Sequence, residues 1–254
     1  MKILFFGDIV GRPGREAVLE NIHMLRKKYG ADVCVANGEN AAGGFGLTRE
    51  HAELLFRAGV DVFTMGNHVW SKKEVIDVMD TMPILRPHNL PKKDPGTGVY
   101  VYTTDRGEKL AVINLIGRVF IDMPAESPFD TLDAALRDIG TPHVLVDFHA
   151  EATGEKRALA EYAKGRVSAV IGTHTHVQTA DEQILSGGTA FLTDVGMCGA
   201  IDSVLGAEPS MAVERFTSSV RRGYEGAIGR HAVSAVFVET DENGKAIRIE
   251  RITA

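Results

Sequence analysis

Lys2-Ile3-Leu4-Phe5-Phe6-Gly7-Asp8 opens the chain with an apolar run that stops at a glycine and a carboxylate. An uninterrupted run this short reads as a strand buried on both faces and followed by a loop. Pro13 then stands where a helix can begin, and Val18, Ile22 and Leu25 recur at i, i+4 and i+7 as one apolar face. Strand followed by helix is the start of a βα unit. The same alternation continues outward, with strands expected at 32–36 and 60–65 and helices at 50–58 and 72–79. Leu54 and Leu55 face inward from the first of those helices. Such alternation argues for a mainly parallel sheet covered by helices, the α/β class.

After Pro83 the pattern changes. Two β-rich runs, 99–103 and 109–115, are joined by Asp105-Arg106-Gly107-Glu108 and read as an antiparallel hairpin. Alternation then resumes with helix-like 131–139, strand-like 143–148, helix-like 155–163 and a buried strand at 167–171. A second hairpin, 233–239 and 246–252 across Asp241-Glu242-Asn243-Gly244, ends the chain. No repeat, low-complexity tract or Pro/Ser-rich linker intervenes, so one domain over 1–254 is expected. The segments 43–47 and 196–231 are expected to shape a pocket, as insertions beside strand ends often do. Within the second, a helix from Pro209 would carry Val213, Phe216 and Val220 as an apolar stripe, read as core packing.

The 254 residues suffice to bury a sizeable core. Hydrophobic residues make up 44% and charged residues 24%, values of an ordinary globular protein rather than a disordered, collagenous or membrane one. With 28 Lys+Arg against 34 Asp+Glu the net charge is −6, so no global positive field exists to hold a long nucleic acid. Local positive charge for a small anionic substrate would have to come from elsewhere, and metal ions could supply it. The two cysteines, Cys34 and Cys198, have no metal or redox spacing and read as buried free thiols of a reducing compartment. Residues 3–6 are too short an apolar run for a secretory signal or a membrane span, so the cytoplasm is the expected location and no membrane partner is expected.

In open α/β sheets the carboxyl ends of the strands face the functional crevice. Here those ends are rich in metal ligands: Asp8, Glu39 and Asn40, Asn67 and His68, His149, then His174 and His176. Each position alone has a plain alternative. Asp8 could cap the following helix. Asn37-Gly38-Glu39-Asn40 and Gly66-Asn67-His68 could be polar turns, and His149 a satisfied interior histidine. Gly172-Thr173-His174-Thr175-His176 is more telling, because histidines at i and i+2 of an extended segment project to the same side.

Together, five strand ends would deliver carboxylate, carboxamide and imidazole to one edge. Such a donor set without thiolate suits Mn, Fe, Zn, Co or Ni. Seven candidate ligands exceed one coordination sphere, whereas two ions about 3.5 to 4 Å apart can clamp a phosphoryl group and lower the pKa of a bridging water towards about 7. A dinucleotide loop is the competing reading of Gly7, Gly11 and Gly14, but Ile9 occupies the place of the second glycine, which would keep the backbone away from a pyrophosphate.

The succession Asp8, Gly38-Glu39-Asn40, Gly66-Asn67-His68, His149 and Gly172-Thr173-His174-Thr175-His176 resembles the calcineurin-like metallophosphoesterases. Gly7-Asp8-Ile9-Val10-Gly11-Arg12-Pro13-Gly14, Phe148-His149-Ala150-Glu151-Ala152-Thr153 and Asp194-Val195-Gly196-Met197 resemble more narrowly the YmdB-type branch of bacterial phosphodiesterases. The match runs through nearly the whole chain. It implies a four-layer α-β-β-α metallophosphoesterase sandwich with mixed sheets, and hydrolysis of small phosphodiesters, with 2′,3′-cyclic nucleotides favoured. Val10 stands where the broad family has a histidine, and Glu39 where it has a bridging aspartate; both departures are typical of the narrower branch.

The resemblance further implies two divalent or mixed-valence transition metal ions, Fe or Mn foremost, with Zn, Co or Ni as alternatives. One ion would be held by Asp8, Glu39, Asn40 and His176, the other by Glu39, Asn67, His149 and His174, with Glu39 as the bridge and a hydroxide between the metals attacking phosphorus. His68, beside Asn67 and not needed as a ligand, could protonate the leaving oxygen. The alternatives are a non-catalytic metal or nucleotide sensor, and a phosphomonoesterase or nuclease of the same fold. A small-molecule phosphodiester is thus the expected partner, with a homo-oligomer left open.

Overall fold

The computed structural model describes residues 1–220, 223 and 225–254. Its first half runs β1 (Lys2–Phe6), β2 (Asp8–Ile9), α1 (Gly11–Tyr29), β3 (Val33–Asn37), α2 (Arg49–Ala58), β4 (Val62–Thr64), α3 (Ile76–Met79), β5 (Ile84–Leu85), β6 (Val99–Thr103) and β7 (Lys109–Ile116). The second half runs α4 (Pro128–Arg137), β8 (His143–His149), α5 (Thr153–Ala163), β9 (Ala169–Thr173), β10 (Gln183–Leu185), β11 (Thr189–Leu192), β12 (Met197–Ala200), α6 (Pro209–Thr217), β13 (His231–Ala232), β14 (Ser234–Thr240) and β15 (Ala246–Thr253).

Among the described residues these strands form two six-stranded mixed sheets, ordered β15-β14-β1-β3-β4-β5 and β10-β11-β9-β8-β7-β6, with a smaller sheet β13-β12-β2. Strands β1, β3, β4 and β5 are parallel, and so are β7, β8, β9 and β11. The single, mainly parallel sheet expected from the alternation is therefore two mixed sheets. The two expected hairpins, β6/β7 and β14/β15, supply antiparallel edges because their short turns cannot make a crossover.

Both faces of the central strands are covered, which is why they read as unbroken apolar runs. On β1, Ile3 and Phe5 share a core with Leu110, Val112, Leu145 and Ile171 of the other sheet, while Leu4 and Phe6 pack with Val18, Ile22 and Leu25 of α1. The far face of the second sheet, with Ile113 and Leu115, packs on Leu132 of α4 and Leu159 of α5. Phe5, Phe6, Phe63 and Phe148 are fully buried. Truncating any one to Ala would cost about 3–5 kcal/mol.

Two further expectations differ from the structure, and three short strands were not expected. The helix at 72–79 is a 3-10 turn, Lys73–Val75, running into the single turn α3. Short strands β10, β11 and β12, divided by glycines and turns, escaped the apolar-run criterion. The expected stripe is not core: α6 ends at Thr217, before Val220, and Val213, Phe216 and Val220 are 57%, 86% and 67% exposed, because this segment lies outside both sheets. Together with Val204, Leu205 and Met211, Phe216 and Val220 line a cavity of about 430 Å³. Residues 221, 222 and 224 of the expected pocket segment 196–231 lie outside the described residues. Cys34 and Cys198 are buried and free, and among the described residues no helix is long and apolar enough to cross a membrane.

Candidate metal centre

The carboxyl ends of β1, β3 and β4 in one sheet and of β8 and β9 in the other meet at one edge. Asp8 opens β2, one glycine beyond β1; Glu39 and Asn40 come after β3, Asn67 and His68 after β4, His149 is the last residue of β8, and His174 and His176 lie just beyond β9. Asp8, Glu39, Asn40 and His149 are buried. All seven expected ligands fall into two adjoining groups.

In the first group Nε2 of His149 lies 3.1 Å from Glu39 Oε1, 3.0 Å from Asn67 Oδ1 and 3.0 Å from His174 Nδ1. A ring nitrogen carries at most one proton, so it cannot satisfy three lone-pair atoms at once. In the second group Nε2 of His176 lies 3.3 Å from Asn40 Oδ1 and 4.0 Å from Asp8 Oδ1. That Asp8 oxygen is buried and finds no hydrogen-bond partner among the described residues. A buried orphan carboxylate oxygen is costly unless a cation meets it.

The outer nitrogens of the three imidazoles are each tied to oxygen. Nδ1 of His149 faces Thr173 Oγ1 at 2.9 Å, Nε2 of His174 faces Glu151 Oε2 at 3.2 Å, and Nδ1 of His176 faces the Leu205 carbonyl at 3.0 Å. The Thr173 hydroxyl donates to Asp147 Oδ1 at 2.7 Å, which leaves its lone pair to accept from His149. Asp147 in turn accepts from Asn37 Nδ2, and Asn37 Oδ1 accepts the Glu39 backbone N–H. With the outer nitrogen of each ring donating, the inner nitrogen presents its lone pair to the group, the arrangement by which a metal-ligating histidine is oriented. Carboxylate, carboxamide oxygen and imidazole, without thiolate, make a donor set that fits borderline transition ions.

Electrostatics agree. Burial opposes the charge on His149, but Glu39, Asp8 and Asp147 outweigh it and raise its pKa. Burial likewise opposes ionisation of Glu39, yet His149 and the His68 N–H hold its pKa down. The buried carboxylates thus create at His149 a field that favours positive charge. Burial and the neighbouring His149 push His174 down to about 3, so its imidazole is neutral and available as a ligand.

The segment after β9 differs from the extended one its i, i+2 spacing suggested. His174 and His176 both have positive φ, 103° and 65°. For non-glycine residues this costs on the order of 1–3 kcal/mol each and persists only where the surroundings over-determine it. The backbone sends His174 to the first group and His176 to the second. Gly66 is required by close approach: a Cβ there would lie 2.3 Å from Glu39 Oε2 and from His149 Nε2.

His68 stands beside Asn67 and is half-buried. Its backbone N–H donates to Glu39 Oε2 at 3.0 Å, and its ring meets Phe45 edge-on with centroids 4.9 Å apart. Burial lowers its pKa, against the pull of Glu39. Both expected pocket segments reach the site, 43–47 through Phe45 and through the Gly44 carbonyl that accepts from Asn40 Nδ2, and 196–231 through Leu205.

Sequence reasoning gave no role to Asp147, Thr173 or the Leu205 carbonyl, and none to Glu151. Asp147 sits at i−2 from His149 on one strand face, a polar pair inside an apolar run and the one signal available.

Residues 4–252 match the family described as YmdB-like protein. A 2′,3′-cyclic-nucleotide 2′-phosphodiesterase of Bacillus subtilis (strain 168) is 46% identical over 256 residues, covering 99% of this chain and 96% of that protein. Among solved structures, a hypothetical protein of Thermus thermophilus superposes with a TM-score of 0.95 at 41% identity, covering 100% of this chain and 99% of the other. A structure described as a novel phosphatase, of Mycoplasma pneumoniae, superposes with a TM-score of 0.94 at 36% identity, covering 100% and 93%.

Proposed function

The chain belongs to the YmdB-like family, and from that premise we propose that it is a metal-dependent phosphodiesterase acting on small phosphodiesters of the 2′,3′-cyclic nucleotide class. The observation that carries the proposal is the crowding of His149 Nε2 by Glu39, Asn67 and His174 within 3.1 Å, while the outer nitrogens of all three rings face oxygen. In this reading Asp8, Glu39, Asn40 and His176 hold one ion, Glu39, Asn67, His149 and His174 hold a second, and Glu39 is common to both. Fe or Mn, the ions the resemblance implies foremost, fit this donor set, as do Zn, Co or Ni. In the same reading the fold is a four-layer α-β-β-α sandwich in one domain over 1–254, supported by the three hydrophobic clusters that lie between and outside the two sheets. The two buried free thiols support a cytoplasmic location.

When bound, such ions offset phosphoryl charge and lower the pKa of water towards about 7. The chain's own residues supply orientation and a proton. Asp147 and Thr173 fix the His149 ring, Glu151 fixes His174, and the Leu205 carbonyl fixes His176. His68 gives its proton to the departing oxygen, and an approaching phosphodiester anion raises its depressed pKa towards the range needed for that role. By analogy with the name of the Bacillus subtilis relative, the 2′ ester is the bond broken and a 3′-nucleotide the product.

The test is a turnover screen of Mn²⁺-loaded protein against 2′,3′-cyclic nucleotides, 3′- and 5′-mononucleotides and short RNA. Release of 3′-nucleotide from the cyclic esters alone is expected. Turnover confined to monoesters would instead make the protein a phosphatase, as the Mycoplasma pneumoniae structure is described, and no turnover at all would leave the sensor.

A further inference from the structure

Lys156 is fully buried, on the face of α5 that also buries Leu159, Ala160 and Ala163. Its Nζ donates to Asp194 Oδ2 at 2.7 Å, and both side chains are sealed from solvent at 1% and 0% exposure. A buried ion pair is costly to desolvate and seldom the cheapest way to fill a core. The geometry points to another use for it.

Asp194 engages both of its oxygens. Oδ2 also accepts the backbone N–H of Thr175 at 3.0 Å, and Oδ1 accepts the N–H of Gly196 at 2.8 Å. Thr175 is the residue between His174 and His176, both of positive φ. Gly196, itself at φ 79°, turns its carbonyl to accept the N–H of Asp8 at 3.1 Å. Lys156 lies in the first turn of α5, and its N–H donates to Ala152, three residues after His149. One buried carboxylate and its counter-cation therefore sit where the segments bearing Asp8, His149, His174 and His176 come together.

We infer that Lys156 and Asp194 are positioning residues of the metal centre, holding the strained Thr175 segment and the Gly196 turn so that His174 and His176 each face their own group of ligands. Lys156 neutralises the carboxylate that does the holding. The inference rests on the metal-binding reading of the site.

The experiment compares wild type with the double variant Lys156→Met and Asp194→Asn, measuring melting temperature without metal, Mn²⁺ affinity by chelator competition, and the visible absorption of the Co²⁺-loaded protein. Replacing both members leaves no unpaired charge in the core, so the double variant should fold, with a melting temperature lowered modestly by the one backbone N–H that loses its acceptor. A carboxamide offers one acceptor oxygen where two are in use. Mn²⁺ affinity should consequently fall about 10- to 100-fold, the usual effect of losing an outer partner, and the Co²⁺ bands, which report imidazole geometry, should shift. A stable double variant with wild-type affinity and spectrum would overturn the inference while leaving the metal reading intact. Wild type that binds neither ion would overturn both. Should the double variant not fold, Lys156→Met alone leaves Asp194 able to take up a proton and keeps both of its oxygens as acceptors for Thr175 and Gly196; a fall in affinity is again expected, and unchanged affinity would overturn the inference.

Discussion

Thr173 Oγ1 lies 2.9 Å from Nδ1 of His149 and donates to Asp147 Oδ1 at 2.7 Å, so a buried threonine sets which nitrogen of the histidine faces Glu39, Asn67 and His174. Thr173→Val keeps the shape and removes the relay. Metal affinity should fall about 10- to 100-fold, and Thr173→Ser should restore most of it, both read by titration with Mn²⁺. Equal affinity in the valine variant would mean that His149 needs no such partner.

In the proposed centre Glu39 is the ligand whose loss should cost most. It faces His149 through Oε1 and the His68 N–H through Oε2, and it is the one residue assigned to both ions. Glu39→Gln, which preserves size, should leave less bound metal by elemental analysis than Asn40→Ala or His176→Ala. Full metal content in the glutamine variant would remove Glu39 from the bridging role.

Gly66 tests the same group by filling it. A methyl at this position would lie 2.3 Å from Glu39 Oε2 and His149 Nε2. Gly66→Ala should give a folded protein that retains little metal, read by elemental analysis beside a far-ultraviolet circular dichroism spectrum. An alanine variant with full metal content would show that the ions sit elsewhere.

His68 separates chemistry from binding. If it protonates the leaving oxygen, His68→Ala keeps both ions and loses about 10²- to 10⁴-fold in turnover of an ester with a poor alkoxide leaving group. With a nitrophenyl phosphodiester, whose leaving group needs little protonation, the loss should be much smaller. Equal losses on both esters, or loss of metal, would make His68 a structural residue.

All seven expected ligands stand together at the strand ends because a buried parallel strand ends abruptly in sequence, and the polar residue that follows is easy to find. What lay one layer deeper was harder to read. Lys156 falls at the first position of the i, i+3, i+4, i+7 stripe completed by Leu159, Ala160 and Ala163, and a lysine on a buried stripe demands a buried partner. Nothing local in the sequence names Asp194 as that partner, because the pairing spans 38 residues. The small strands β10 to β12 went unread for a different reason: they are short and set off by turns, so their pairing comes from tertiary position more than from pattern. The positive φ of His174 and His176 was likewise invisible, since the N–H groups of that segment are fixed by Asp8 and Asp194, far away in the chain.

The central claim is that metal held by these ligands makes the protein a 2′,3′-cyclic nucleotide phosphodiesterase. Its most direct measurement is the release of 3′-nucleotide from a 2′,3′-cyclic nucleotide by protein stripped with a chelator, before and after Mn²⁺ or Fe²⁺ is returned. The account expects no turnover from the stripped protein and recovery on adding metal. Turnover that is the same before and after, or none from the fully reloaded protein, would contradict it.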